Sequence, residues 1–124
     1  MIPTFTHPEF TFCEYQRLAA RTARQDAPDR LTVSLHGLGS EYGELLEAFQ
    51  HAAERDQALD IPHVAEELGD CLWRLSDIAD ALGLSLEGIA AQNVTKLRRR
   101  HPQGFTAVTS AARMDQRDAP ATED

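Results

Sequence analysis

The chain has 124 residues and carries 20 acidic against 12 basic side chains, a net charge of −8. That length supports one domain. No stretch is apolar for long enough to cross a membrane, and so acidic a chain is not expected to bind nucleic acid over a broad surface. A compact polyanion stays within reach through a bridging metal and a local basic cluster. Met1-Ile2-Pro3-Thr4 does not begin a charged region followed by an apolar run, so no secretory signal is expected. Cys13 and Cys71 have neither C-x-x-C nor zinc spacing. With Cys71 read as core and Cys13 as incidental, they fit a reducing, cytoplasmic setting.

Residues 1–10 contain Pro3 and Pro8 and are expected to be irregular. Thr11-Phe12-Cys13-Glu14 has the form of a capping box and predicts a first helix running to about Gln25. Phe12, Tyr15, Leu18, Ala19 and Thr22 form its apolar side, and Arg17, Arg21 and Arg24 are read as a solubilising face. Pro28 breaks the chain. A second helix is predicted from about Arg30 to Glu54, with Leu31, Leu35, Leu38, Tyr42, Leu45, Leu46 and Phe49 at the spacing of a buried stripe.

This second helix carries Glu41-Tyr42-Gly43-Glu44, and Glu47 extends the acidic face by a turn. After a polar connection, a third helix is predicted from about Ile61 to Leu82. Its stripe is Leu68, Cys71, Leu72, Leu75, Ile78, Ala79 and Leu82. It carries Glu67-Leu68-Gly69-Asp70 on a flank that continues through His63, Arg74 and Asp77 at 4–3 steps. Residues at i and i+3 share a helix face, and the short connection favours antiparallel neighbours. Four carboxylates then converge, and unit charges ~5 Å apart repel by ~3 kcal/mol at an effective dielectric of about 20. Such groups either splay into water or bind a cation, and an all-oxygen set suits Mg²⁺, Mn²⁺ or Ca²⁺. The bland alternative is a solvated acidic face. Gly43 and Gly69 cost about 1 kcal/mol each relative to Ala inside a helix, which points to close backbone approach at both motifs.

Gly83 ends the third helix and Ser85 caps a fourth over about 86–100, with Leu86, Ile89, Ala90, Val94 and Leu97 as its stripe. Its end, Lys96-Leu97-Arg98-Arg99-Arg100-His101, offsets the helix dipole and is stopped by Pro102. Residues 106–124 read as a polar tail. The fold class expected is all-α, with four main helices in a bundle completed by oligomerisation.

The order E-x-x-E in Glu41 to Glu44, E-E-L-G-D in Glu66 to Asp70, and Asn93 with Lys96 before His101-Pro102-Gln103-Gly104-Phe105 resembles the MazG-like nucleoside triphosphate pyrophosphohydrolases of the all-α NTP pyrophosphatase superfamily. The resemblance covers roughly residues 11–105, and Glu14-Tyr15-Gln16 and Leu38-Gly39 add to it. It implies Mg²⁺-dependent hydrolysis of a nucleoside triphosphate to the monophosphate and pyrophosphate, with Mn²⁺ as a substitute ion. Glu41, Glu44, Glu67 and Asp70 would then be metal ligands, and Asn93 and Lys96, assisted by Arg99 or Arg100, phosphate contacts. Glu44 or Glu47 would be the base, and Trp73 a surface on which a nucleobase stacks. The resemblance also implies a homodimer or a dimer of dimers.

Two other classes compete. A carboxylate-bridged di-iron bundle needs Glu-x-x-His pairs, and no Glu in this chain has a His three residues on. Phosphoribosyl-ATP pyrophosphohydrolases share similar acidic motifs and change only the substrate, whereas a non-catalytic helical module needs only solvated acidic faces. Metal titration separates the module from the enzymes, and nucleotide profiling separates the enzymes from each other.

Overall fold

The computed structural model describes residues 10–108, which form four helices and no strand. These are α1 (Phe12–Ala20), α2 (Arg30–Glu54), α3 (Ile61–Ala81) and α4 (Leu86–Arg100). Most of the segments expected to be irregular at 1–10 and polar tail at 106–124 lies outside the described residues. The chain divides into two compact units, one ending at Glu87 and one beginning at Gly88.

In the first unit, Thr11 accepts the Glu14 N–H at 3.2 Å and so caps α1, while the Glu14 carboxylate pairs with Arg17 at 2.6 Å. The helix stops at Ala20 instead of reaching Gln25. Its last carbonyls are taken by side chains: the Thr22 hydroxyl donates to Ala19 O and the Gln25 amide to Ala20 O, each at 2.8 Å. Such local bonds compete with continued helix. Gln16 then clamps the loop after α3, donating to Leu84 O at 2.9 Å and accepting the Leu86 N–H at 2.8 Å.

Both long helices close with the same device. The Gln57 N–H bonds to Ala52 O at 2.9 Å after α2, and the Leu84 N–H bonds to Ala79 O at 2.8 Å after α3. Each closure requires a left-handed residue one step earlier. Gly83 supplies it at φ 68°, and Asp56 supplies it at φ 49°. Asp60 caps α3 by accepting the His63 N–H at 3.2 Å, with Pro62 in the first turn.

Helix α3 packs against both α1 and α2. Its seam with α2 is antiparallel and polar. Arg30 at the start of α2 reaches Asp77 and Asp80 near the end of α3, at 2.6 and 2.8 Å, and the buried Ser34 hydroxyl bonds the same Asp77. Further along, Arg74 meets Glu41 at 3.2 Å. Ser34 and Ser76, both buried, keep side-chain bulk low in this region. The buried apolar residues are Val64, Ala79 and Leu86.

Part of each apolar stripe turns outward in the single chain. Leu68 and Leu75 on α3 and Leu82 at its C-cap are 53, 47 and 53 % exposed, and Leu35, Tyr42, Leu46 and Phe49 on α2 are also exposed. In the second unit, α4 runs on to its basic end at Arg98-Arg99-Arg100, and His101 and Phe105 bring their rings to 5.7 Å beyond it.

Candidate metal centre

The antiparallel register brings the acidic motifs of α2 and α3 to the same level. One carboxylate oxygen from each of Glu41, Glu67 and Asp70 lies within 4.8 Å of the others. Glu44 is outside this trio but near enough for its charge to act on Glu67. Glu67 is the centre of the arrangement. It is only 6 % exposed, its Oε1 lies 3.6 Å from His63 Nδ1, and its buried Oε2 has no hydrogen-bond partner.

Burial first, and then the charge of Glu44, push the Glu67 carboxyl above its ordinary range; His63 opposes the shift, and Asp70 and Glu41 add to it. The same field reaches two neighbours. Burial and then Glu41, Glu67 and Asp70 raise the Cys71 thiol, so the thiolate is disfavoured. Burial and then Asp70 raise the Tyr15 hydroxyl, which brings α1 to the edge of the site. Nothing in the spacing of Tyr15 distinguishes it from the rest of the α1 stripe.

A buried carboxylate oxygen left without a donor is costly. A divalent cation would supply the missing partner and relieve the repulsion among three acids. The donor set is all oxygen, which fits Mg²⁺, Mn²⁺ or Ca²⁺ better than softer ions. The residues therefore suit such an ion.

Arg74 was expected only as part of the α3 flank, yet it reaches into the cluster. Its Nε and Nη2 each lie 3.2 Å from Glu41 Oε1, and its Cζ stands 5.1 Å from the centroid of the Trp73 ring. Gly37 makes room for it: a Cβ there would lie 2.7 Å from Arg74 Nη1 and overlap the guanidinium carbon. Close approach thus explains Gly37. It does not explain Gly43 and Gly69, because a Cβ at either would have no neighbour within 4 Å in this chain.

The other residues singled out from sequence fall in three places. Glu44 and Glu47 line a cleft of about 630 Å³ with His51, Arg55, Asp60 and His63. Trp73 donates its ring N–H to Thr22 Oγ1 at 2.8 Å, which ties α3 to the end of α1. Asn93, Lys96 and Arg99 are exposed on α4 in the second unit, and Arg100 follows them half-buried.

The described residues are all-helical, with a cluster of three converging carboxylates between two antiparallel helices. The profile of the MazG nucleotide pyrophosphohydrolase domain matches residues 31–105, taking in α2 apart from Arg30, all of α3 and α4, and every acidic residue of the cluster. The chain belongs to the MazG family, and its activity in general terms is that of a nucleotide pyrophosphohydrolase. No curated protein and no solved structure matches the chain. Among the described residues no helix is long and apolar enough to cross a membrane.

Proposed function

We propose that the protein hydrolyses (deoxy)nucleoside triphosphates to the nucleoside monophosphate and pyrophosphate, using Mg²⁺ or, in its place, Mn²⁺. The observation that supports this best is the buried, unpartnered Glu67 oxygen within a trio of converging carboxylates. In this reading Glu41 and Glu44 from α2 and Glu67 and Asp70 from α3 hold the ion. When bound, the ion neutralises phosphate charge and makes a water more acidic.

Glu44 and Glu47 border the cleft beside the cluster, and either carboxylate can take the proton of the attacking water. Water adds to the α-phosphorus, the bond from that phosphorus to the bridging oxygen breaks, and pyrophosphate leaves with the electron pair. The family resemblance supports Asn93, Lys96, Arg99 and Arg100 as phosphate contacts. The chain has no Gly-rich phosphate loop of the Walker type to position a γ-phosphoryl group, which favours the α site. If a base stacks on Trp73, it uses the ring face opposite Arg74.

The working form in this reading is a homodimer or a dimer of dimers. Ile61, Leu68 and Leu75 on α3 and Leu82 at its C-cap recur every seven residues and are all exposed in the single chain. A second copy removes that surface from water, and apolar burial is the main driving force for such association.

Turnover in ¹⁸O-labelled water tests the reaction. The label is expected in the nucleoside monophosphate, and release of orthophosphate with a diphosphate product overturns the proposal. Profiling of nucleotides, with modified pyrimidine deoxynucleotides first, identifies the substrate.

A further inference from the structure

Resting on that reading of the metal site, the seat of Arg74 supports a second step. Three features hold its guanidinium beside the carboxylates: Glu41 accepts from Nε and pairs with Nη2, the Trp73 ring lies beneath it, and Gly37 leaves the space it fills. Both partners are largely screened from water, at 26 and 15 % side-chain exposure for Arg74 and Glu41. Glu41 is also one of the three residues whose oxygens converge. Its carboxylate is thus claimed twice, by a guanidinium that does not shed its proton and by any ion that enters.

We propose that Arg74 exchanges with the divalent ion, neutralising Glu41 while the site is empty and turning to the substrate's phosphate oxygens once the ion has taken Glu41. Two cations crowded on one carboxylate repel each other, so entry of the ion weakens the Arg74–Glu41 bond. The arginine is held on Trp73 as well as by Glu41 and need not return to bulk water when it lets go. A nucleoside triphosphate carries more negative charge than one divalent ion balances. A planar guanidinium also matches phosphate geometry with paired donors. No bond is made or broken covalently in this exchange.

Calorimetric titration of Mn²⁺ into the metal-free full-length protein tests the first half. Arg74→Gln should bind Mn²⁺ about tenfold more tightly than wild type, since a competitor has been removed. Gly37→Ala keeps the positive charge but crowds the guanidinium off Glu41, and it should also tighten Mn²⁺ binding. The second half is read by titrating an α,β-imido nucleoside triphosphate into the Mn²⁺-loaded proteins, where Arg74→Gln should bind about tenfold more weakly. Unchanged or weaker Mn²⁺ binding by Arg74→Gln, while Glu67→Gln loses the ion, overturns the exchange and leaves the metal site standing. Undiminished affinity for the analogue also overturns it. Absence of Mn²⁺ binding by wild type overturns the metal site and the exchange together.

Discussion

Arg30 and Asp77, on opposite helices and 2.6 Å apart, set the level at which the acidic motifs meet. With that pair made at one end of the seam, the antiparallel helices bring Glu41 opposite Arg74, and Glu67 and Asp70 beside Glu41. Asp77 is buried and also holds the Ser34 hydroxyl. Breaking a buried pair strands the remaining charge, at a cost of about 3–5 kcal/mol. Asp80, which shares Arg30, softens the loss. Asp77→Ala should therefore destabilise the protein by roughly 2–4 kcal/mol in a denaturant titration. A change below about 0.5 kcal/mol, the range of ordinary surface substitutions, would show that the pair does not set the register.

The cluster has a distinct pH signature. Because the Glu67 carboxyl is raised in the folded chain, folding without metal takes up a proton. The associated stability is complete below the ordinary carboxyl value of 4.5 and is lost as pH rises through the higher folded value. Metal-free wild type should therefore lose stability as pH is raised from that ordinary value toward neutrality. Glu67→Gln should lack this loss, and at neutral pH should unfold no earlier than wild type without metal. Thermal melts across that pH range check both statements, and a mutant that melts earlier at neutral pH contradicts them.

The same logic separates the ligands from the fold. Asp70→Asn should abolish metal-dependent turnover while leaving helicity unchanged and the metal-free thermal midpoint level or raised, whereas Glu41→Gln should abolish turnover and, by stranding Arg74, lower that midpoint. Circular dichroism with an activity assay reads this. Wild-type turnover in either variant would falsify the ligand assignment.

Assembly is testable at the exposed stripe. Leu75 sits midway along the seven-residue series on α3 and is 47 % exposed in the single chain. A homodimer built on this face should bury upwards of ~2,000 Å² in total, the range of obligate interfaces. Leu75→Glu places a charge in its core and should convert the protein to monomer by light scattering. A wild type already monomeric at micromolar concentration excludes the dimer.

A stability gain is expected at the turn after α2. Asp56 occupies left-handed backbone at φ 49°, a conformation that glycine adopts without penalty. Asp56→Gly should raise stability by about 0.5–1 kcal/mol, seen as a higher denaturation midpoint at unchanged slope. No gain would mean that the aspartate side chain contributes as much there as its backbone costs.

Much of the molecule is legible in the chain alone. The number and extent of the long helices follow from apolar periodicity and local chemistry: Thr11 begins α1 and Gly83 ends α3. The two acidic motifs, each on one helix face, were visible for the same reason. Even the flank of His63, Glu67, Asp70, Arg74 and Asp77 can be read as one line along α3. Only the tertiary structure decided what that flank faces. Stripes of leucine suggest an apolar seam, yet Arg74, Asp77 and Asp80 bond to α2, and Leu68, Leu75 and Leu82 are left half-exposed. Periodicity records which residues share a face of one helix. It carries nothing about the rotation and sliding of that helix against another, which depend on pairs such as Arg30 with Asp77, far apart in the chain. Gly37 shows the same division: its cost to the helix is evident from its identity, but its purpose depends on where the distant Arg74 comes to rest.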